Sequence, residues 1–286
     1  MSSEFRYSLP AEALKALLDA RILSAQQTAH PGSLPLLIAQ QHCGWVSPAA
    51  VRALTGHAGV VVTAEALQIG QDLSRLEVLD EQLSTLAQTL HSAGCAPGWR
   101  NELLDIWPVS DQQTGSPVAL KPIGRIERGV MRALGLLTQA VHLSAWSASG
   151  ELWVARRSLN KATDPGMWDT LVGGLVGSGE PPELALERET DEEAGLDPPD
   201  IAHRSRLRKI TRMYRRLPEG FQVEDVLTCE CVLPDHITPA NRDGEVMEIK
   251  RLAPDVVWQM LQDGAFTLEA SIVITEDLLR TCTNLR

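Results

Sequence analysis

At roughly 150 residues to a domain, a chain of 286 residues is long enough for two domains, each able to bury a core of its own. Its 44% hydrophobic and 22% charged residues exclude the disordered, collagen-like and coiled-coil classes. A net charge of −11 argues against a protein that coats duplex phosphate over its whole surface, so an anionic substrate has to be met locally.

In chain order, the stretch after Leu9 spaces Leu14, Leu17, Leu18 and Ile22 at three and four residues behind Pro10, which predicts an amphipathic helix. An apolar run, Leu34 to Ala39, follows, then a turn at Gly44. Ser47-Pro48 opens a short helix through Leu54, because Ser caps and Pro fits the first turn. Val60 to Thr63 reads as a strand and Val78 to Leu90 as a helix ended by Gly94. The turn formers Ser110 to Pro117 place a boundary between a smaller mixed α/β domain, residues 1–120, and a second domain, 121–286. In the second, a helix is expected from Arg125 to Leu136, strands at Val141–Trp146 and Glu151–Arg156 around Ser149-Gly150, and a hairpin of Ile210–Tyr214 and Val223–Leu233 around Pro218-Glu219-Gly220. A helix follows at Pro254–Gln262.

Five cysteines, Cys43, Cys95, Cys229, Cys231 and Cys282, are an odd number without a C-x-x-C pair, which excludes a disulfide scaffold and a zinc ribbon. The first residues lack an apolar signal core, and nowhere do 18 apolar residues run together. A soluble protein in the reducing cytoplasm, with no membrane partner, is the expectation.

The informative stretch is Gly174 to Leu196, GLVGSGEPPELALERETDEEAGL, with seven acids against one base, Arg188. Its glycines make a loop, Pro181 and Pro182 suit a helix's first turn, and Gly195 suits a left-handed helix end. On that helix Glu189, Glu192 and Glu193 fall within an arc about 100° wide. Like charges at this spacing destabilise a helix, so a cation has to neutralise them. Mg²⁺ takes carboxylate and phosphate oxygens, and a Mg²⁺–diphosphate site is the inference, Mn²⁺ being the other candidate. An exposed acidic face is the plainer reading of any charge run.

Spacing decides against that plainer reading, because the window resembles the Nudix box. Gly174, Glu180, Arg188, Glu189, Glu192, Glu193, Gly195 and Leu196 fall on the motif, and Thr190 stands where an apolar residue is expected. The resemblance implies a C-terminal α/β/α Nudix sandwich with a mixed sheet, in which Glu189, Glu192 and Glu193 bind the metal and act in catalysis. Glu180 and Arg188 would lock the loop to the helix, with Gly174 and Gly195 as structural positions. Further, Glu151–Gly174, Asp243–Leu252 and the element Gly98-Trp99-Arg100 resemble a Nudix subfamily related to the domain fused to thiamine pyrophosphokinase in some fungi. That implies diphosphates of thiamine or its oxidised analogues as the substrate class.

Among flanking residues, Arg156, Arg157 and Lys161 either meet phosphate oxygens or face outward as ordinary surface cations. Trp153 or Trp168 either stacks on a heteroaromatic ring or packs the core. Glu245 either positions the attacking water or is a surface turn acid. Seven cations between Arg204 and Arg216 lack interleaved aromatics apart from Tyr214, so a solvated strand face is favoured over nucleic-acid binding. His142 reads as structural. The function expected is a Mg²⁺-dependent pyrophosphohydrolase of a small-molecule diphosphate. A Nudix hydrolase of nucleoside diphosphate sugars or dinucleotides and a noncatalytic ligand sensor are the rivals. Oligomeric state stays open.

Overall fold

A computed structural model describes residues 9–70, 76–109 and 121–283. The expected boundary at Ser110–Pro117 and the N-terminal hexapeptide lie outside the described residues.

The first helix forms as α1 (Ala11–Ser24) directly after Pro10. β1 (Leu34–Ile38) and β2 (Gln41–Val46) pair antiparallel, and α2 (Pro48–Leu54) starts where the Ser47 hydroxyl accepts the Ala50 amide at 3.3 Å. β3 (Val60–Val62) and β4 (Leu67–Ile69) complete a sheet of order β2-β1-β4-β3, and α3 (Leu76–Ser92) covers it, ending at left-handed Gly94. The turn expected at Gly44 lies instead at Ala39-Gln40, both at positive φ. Gly44 sits inside β2 because a Cβ there would come within 2.5 Å of the Gly135 carbonyl oxygen. Its missing side chain serves close approach rather than chain reversal.

β5 (Leu103–Ile106) pairs antiparallel with β6 (Gly124–Glu127). The single helix expected over Arg125–Leu136 is therefore a strand, a 3₁₀ turn at Arg128–Val130 and a one-turn helix, α4 (Met131–Leu134). The cause is Glu127, whose carboxylate accepts the amides of Arg100 at 2.7 Å and Glu102 at 3.1 Å and so ties this segment to β5. Local periodicity carries no trace of that long-range tie.

β7 (Leu137–Ser147) and β8 (Leu152–Arg157) form the expected strand pair, followed by β9 (Trp168–Thr170), β10 (Val172–Leu175) and α5 (Pro182–Ala194). The hairpin β11 (Arg208–Leu217) and β12 (Gly220–Leu233) has longer strands and a tighter turn than expected. β13 (Val246–Leu252), α6 (Pro254–Gln262) and α7 (Leu268–Thr283) close the chain. The sheet runs β11-β12-β7-β8-β13, with β12 and β7 parallel, β10 on β7 and β9 on β8. Side-chain alternation sends Val141, Leu143 and Ala145 of β7 toward Ala185, Leu186 and Ala194 of α5, while Trp146 packs with Ile274 and Leu278 of α7. The fold is an α/β/α sandwich with a mixed sheet, preceded by a smaller α/β region. Leu14 of α1 shares the core of Trp146 and Ile274, and Leu18 packs on Met213 and Val226, so the first helix completes the outer layer of the later sheet.

Candidate active site

The loop from β10 to α5 is held by one guanidinium. Arg188 donates to both oxygens of Glu180 at 3.0 Å, to the Leu175 carbonyl at 3.1 Å, to Glu189 at 2.7 Å and to Glu192 at 3.4 Å. Glu180 also accepts the Gly177 amide at 3.0 Å. Partial burial pushes its carboxyl upward, but Arg188 outweighs burial and holds it below the usual range. α5 ends at Gly195, φ +62°, where a Cβ would meet the Ala240 carbonyl at 2.5 Å. Thr190, the departure from the motif, is fully buried, and its hydroxyl finds no partner among the described residues.

Of the three carboxylates on α5, Glu189 and Glu193 are buried and Glu192 is half exposed. Gly174 makes room for Glu189: a Cβ there would lie 1.9 Å from its carboxyl carbon. Glu193 accepts the Gly173 amide at 2.9 Å. Burial pushes its carboxyl up to about 8, against the pull of Lys161. Across the cleft, Asn241 braces the turn into β13, accepting the Gly244 amide at 2.7 Å and donating to Asp243 at 2.7 Å. That turn brings Asp243 and Glu245 to Glu193, and one carboxylate oxygen from each lies within 4.8 Å of the others. Lys161 stands among them, hydrogen-bonded to Glu245 and 3.6 Å from Glu193. Although partly buried, Glu245 is held below its ordinary range by Lys161.

The structure thus brings Glu189, Glu192, Glu245 and Lys161 to one cleft, with Glu193 buried behind Lys161 and Glu245. Arg157 lines a chamber beside that cleft, but its guanidinium is engaged with Asp169 at 3.1 Å and the Thr163 carbonyl at 3.0 Å, so it fixes the loop between β8 and β9. Arg156 and Trp168 are not brought there. Neighbours along a strand point to opposite faces, and Arg156 stacks 5.9 Å from the Trp168 ring while donating to Gly166. Trp168 and Trp153 pack against core clusters. The basic run 204–216 is largely paired: Arg204 with Glu187, Arg208 with Glu230 and Glu276, Arg212 with Asp225, Arg215 with Asp164.

Sequence reasoning missed Asp243, Arg128 and Arg132. The signal for Asp243 was the turn Asn241-Arg242-Asp243-Gly244-Glu245, with one acid on each side of a glycine. A cleft of about 820 Å³ opens over the carboxylates, and a chamber of about 370 Å³ adjoins it. Arg100, Arg128, Lys161, Gly173, Gly174 and Glu245 line both. Arg100 arrives from the loop after α3, held by Glu127.

Comparison with known proteins gives the family. The NUDIX domain family matches residues 137–270. A Nudix hydrolase of Deinococcus radiodurans is 33% identical over 160 residues, which cover 52% of this chain and 88% of that protein. The chain belongs to the Nudix hydrolase family. Nudix hydrolase 20, chloroplastic, of Arabidopsis thaliana is 30% identical over 213 residues, 73% of this chain and 54% of that protein. This Nudix chain spans about half the length of the first curated relatives it matches, 54% and 45%. The crystal structure of DR0079 from Deinococcus radiodurans superposes with a TM-score of 0.44 and 24% identity, covering 64% of this chain and 99% of that one.

Proposed function

We propose that the protein is a divalent-metal-dependent pyrophosphohydrolase, using Mg²⁺ or Mn²⁺, that cleaves the phosphoanhydride of a small organic diphosphate. The substrate class proposed is thiamine diphosphate or its oxidised analogues, in a cytoplasmic setting. The observation that carries the reading is the convergence of Glu193, Asp243 and Glu245 beside the Arg188-braced Glu189 and Glu192. The donor set is all oxygen, which fits a hard divalent ion. Glu193 is also an acid for which burial outweighs the pull of Lys161, 3.6 Å away, so a further cation beside it would be favourable. Glu189, Glu192 and Glu193 would hold the metal, with Asp243 and Glu245 facing them. A bound ion would neutralise phosphate oxygens and acidify a water.

The chain's own groups do the rest. Arg188 fixes the rotamers of Glu189 and Glu192, and the Gly173 amide fixes Glu193. Arg100, Arg128 and Lys161 face the cleft and stabilise the charge that builds on the phosphoryl oxygens during substitution at phosphorus. Glu245, kept ionised by Lys161, orients the attacking water. The thiamine assignment is supported by the likeness of Glu151–Gly174 and Asp243–Leu252, and by Gly98 and Arg100 lining the chamber beside the cleft.

The test is a panel of thiamine diphosphate, its oxidised forms, ADP-ribose and dinucleotides, assayed with Mg²⁺. The expected outcome is turnover of the thiamine group, with release slowed about 10³-fold or more in Glu193→Gln. Release unchanged in Glu192→Gln and Glu193→Gln overturns the hydrolase reading. Turnover confined to ADP-ribose or dinucleotides overturns the substrate class alone, and tight binding without turnover across the panel makes the protein a sensor.

A further inference from the structure

The inner end of the 370 Å³ chamber is chemically unlike its mouth. It lies on the face of β7 turned away from α5, where Thr138, Ala140 and His142 line it together with Gln222 and Glu224 of β12 and Glu269 in the first turn of α7. The donors among these side chains are already spent. Thr138 gives its hydroxyl proton to Glu224 at 2.8 Å, and the Gln222 amide nitrogen bridges Glu224 at 3.0 Å and Glu269 at 3.1 Å.

Acceptors remain. Gln222 is 5% exposed, and its Oε1 finds no hydrogen-bond partner among the described residues. His142 is 4% exposed, and its Nε2 is equally unpartnered. Thr170 donates to the Val172 carbonyl at 2.8 Å, so at 3.1 Å it receives the His142 Nδ1 proton, which leaves Nε2 as a bare lone pair. Burial holds this imidazole neutral, with Asp169 and Glu269 pulling the other way.

Charge follows the same pattern. Around the chamber Arg132 pairs with Glu219, Arg215 with Asp164 and Arg157 with Asp169. Among the described residues Glu224 and Glu269 are left in excess, with Arg215 at 3.6 Å from Glu269 and Arg132 attracting Glu224 from a distance. Burial and the neighbouring Glu269 push the Glu224 carboxyl up to about 7, the mark of an acid lacking a cation. The mouth carries Arg100, Arg128 and Lys161, so the cavity is bipolar, cationic outside and acceptor-lined inside.

We propose that the inner end binds a cationic, N–H-donating head group of the substrate, an amidinium, ammonium or protonated aminoheterocycle, through Glu224, Glu269, Gln222 Oε1 and His142 Nε2. The proposal rests on the reading of the cleft as a diphosphate site, since one molecule then spans both poles. Specificity comes from the inner acceptors: a neutral head group with no N–H leaves Gln222 Oε1 and His142 Nε2 unpaired beside the negative charge of Glu224 and Glu269, at a cost that falls directly on affinity.

The experiment is an NMR titration of the full chain, in chelator, with benzamidinium and with its neutral isostere benzamide. Benzamidinium is expected to bind at least about tenfold tighter. That preference should collapse in Glu269→Gln and in Glu224→Gln and persist in Glu193→Gln, which changes the other carboxylate cluster. Equal affinity for the two ligands in the unsubstituted protein, or no binding of benzamidinium below about 10 mM, overturns the proposal without reference to any variant. So does a preference that survives both inner substitutions or disappears in Glu193→Gln. Because no metal or diphosphate is involved, failure here leaves the hydrolase reading standing, and failure of hydrolysis leaves this binding result intact.

Discussion

Glu193 shows how a residue that serves function weakens the fold that carries it. Its folded-state carboxyl titrates near 8, far above the ordinary value of 4.5. Between those two values the folded protein keeps a proton that the unfolded chain has released, so metal-free stability falls as pH rises from about 5 to about 8. Glu224 and Asp277, both buried and both raised to about 7, add the same slope over pH 4–7. Glu193→Gln keeps the Gly173 hydrogen bond and removes the charge. Its Tm without metal should exceed that of the unsubstituted protein by several degrees at pH 8, on the order of 2 kcal/mol, and match it at pH 4.5. Calorimetry at both pH values checks this, and equal melting at pH 8 would refute a Glu193 carboxyl raised by burial.

At the scale of elements, the loop and helix around α5 were legible because every signal there is local: turn glycines, prolines at the helix start, acids on one face, Gly195 at its end. Glu245 and Lys161, which the sequence left open between a site role and the surface, line the cleft. Arg156 and Trp168 went astray because strand alternation turned them to the opposite face. The helix expected over Arg125–Leu136 failed because Glu127 is claimed by amides some 25 residues away. Nor did the strand β12 announce its acid: Glu224 stands beside Asp225 in the sequence, and only the fold turns it inward to Thr138 of β7 while Asp225 meets Arg212 of β11. Gly174 offers a clean test of the packing between β10 and α5. In Gly174→Ala the new methyl occupies the place of the Glu189 carboxyl, so turnover should fall about 10²-fold with melting little changed. Undiminished kcat would show that Glu189 needs no such cradle.

For the whole molecule, the first and last helices act as one layer. α1 reaches the later sheet through Leu14 and Leu18, and β2 reaches it through Trp45, which stacks edge-on to Tyr214 and Phe221 at 6.0 and 5.8 Å. Leu14→Ala should therefore cost about 2–5 kcal/mol and lower the urea midpoint of the entire protein, not of a separate N-terminal unit. A two-step melt, with the later sheet unaffected, would contradict this. Arg100 makes the earlier region part of the cleft as well, so Arg100→Ala is expected to lower kcat and kcat/KM for a diphosphate about tenfold. Deleting residues 1–120 would confound these two effects, since it removes α1 and Arg100 together.

The most direct measurement is an anomalous difference map from crystals of the full chain grown with Mn²⁺ and a non-hydrolysable methylene diphosphate. A manganese peak bonded to oxygens of Glu193 and Glu189, with the diphosphate between it and Arg100, Arg128 and Lys161, is the expected result. A map without manganese at those carboxylates under saturating metal, or with manganese bound only elsewhere, would contradict the account.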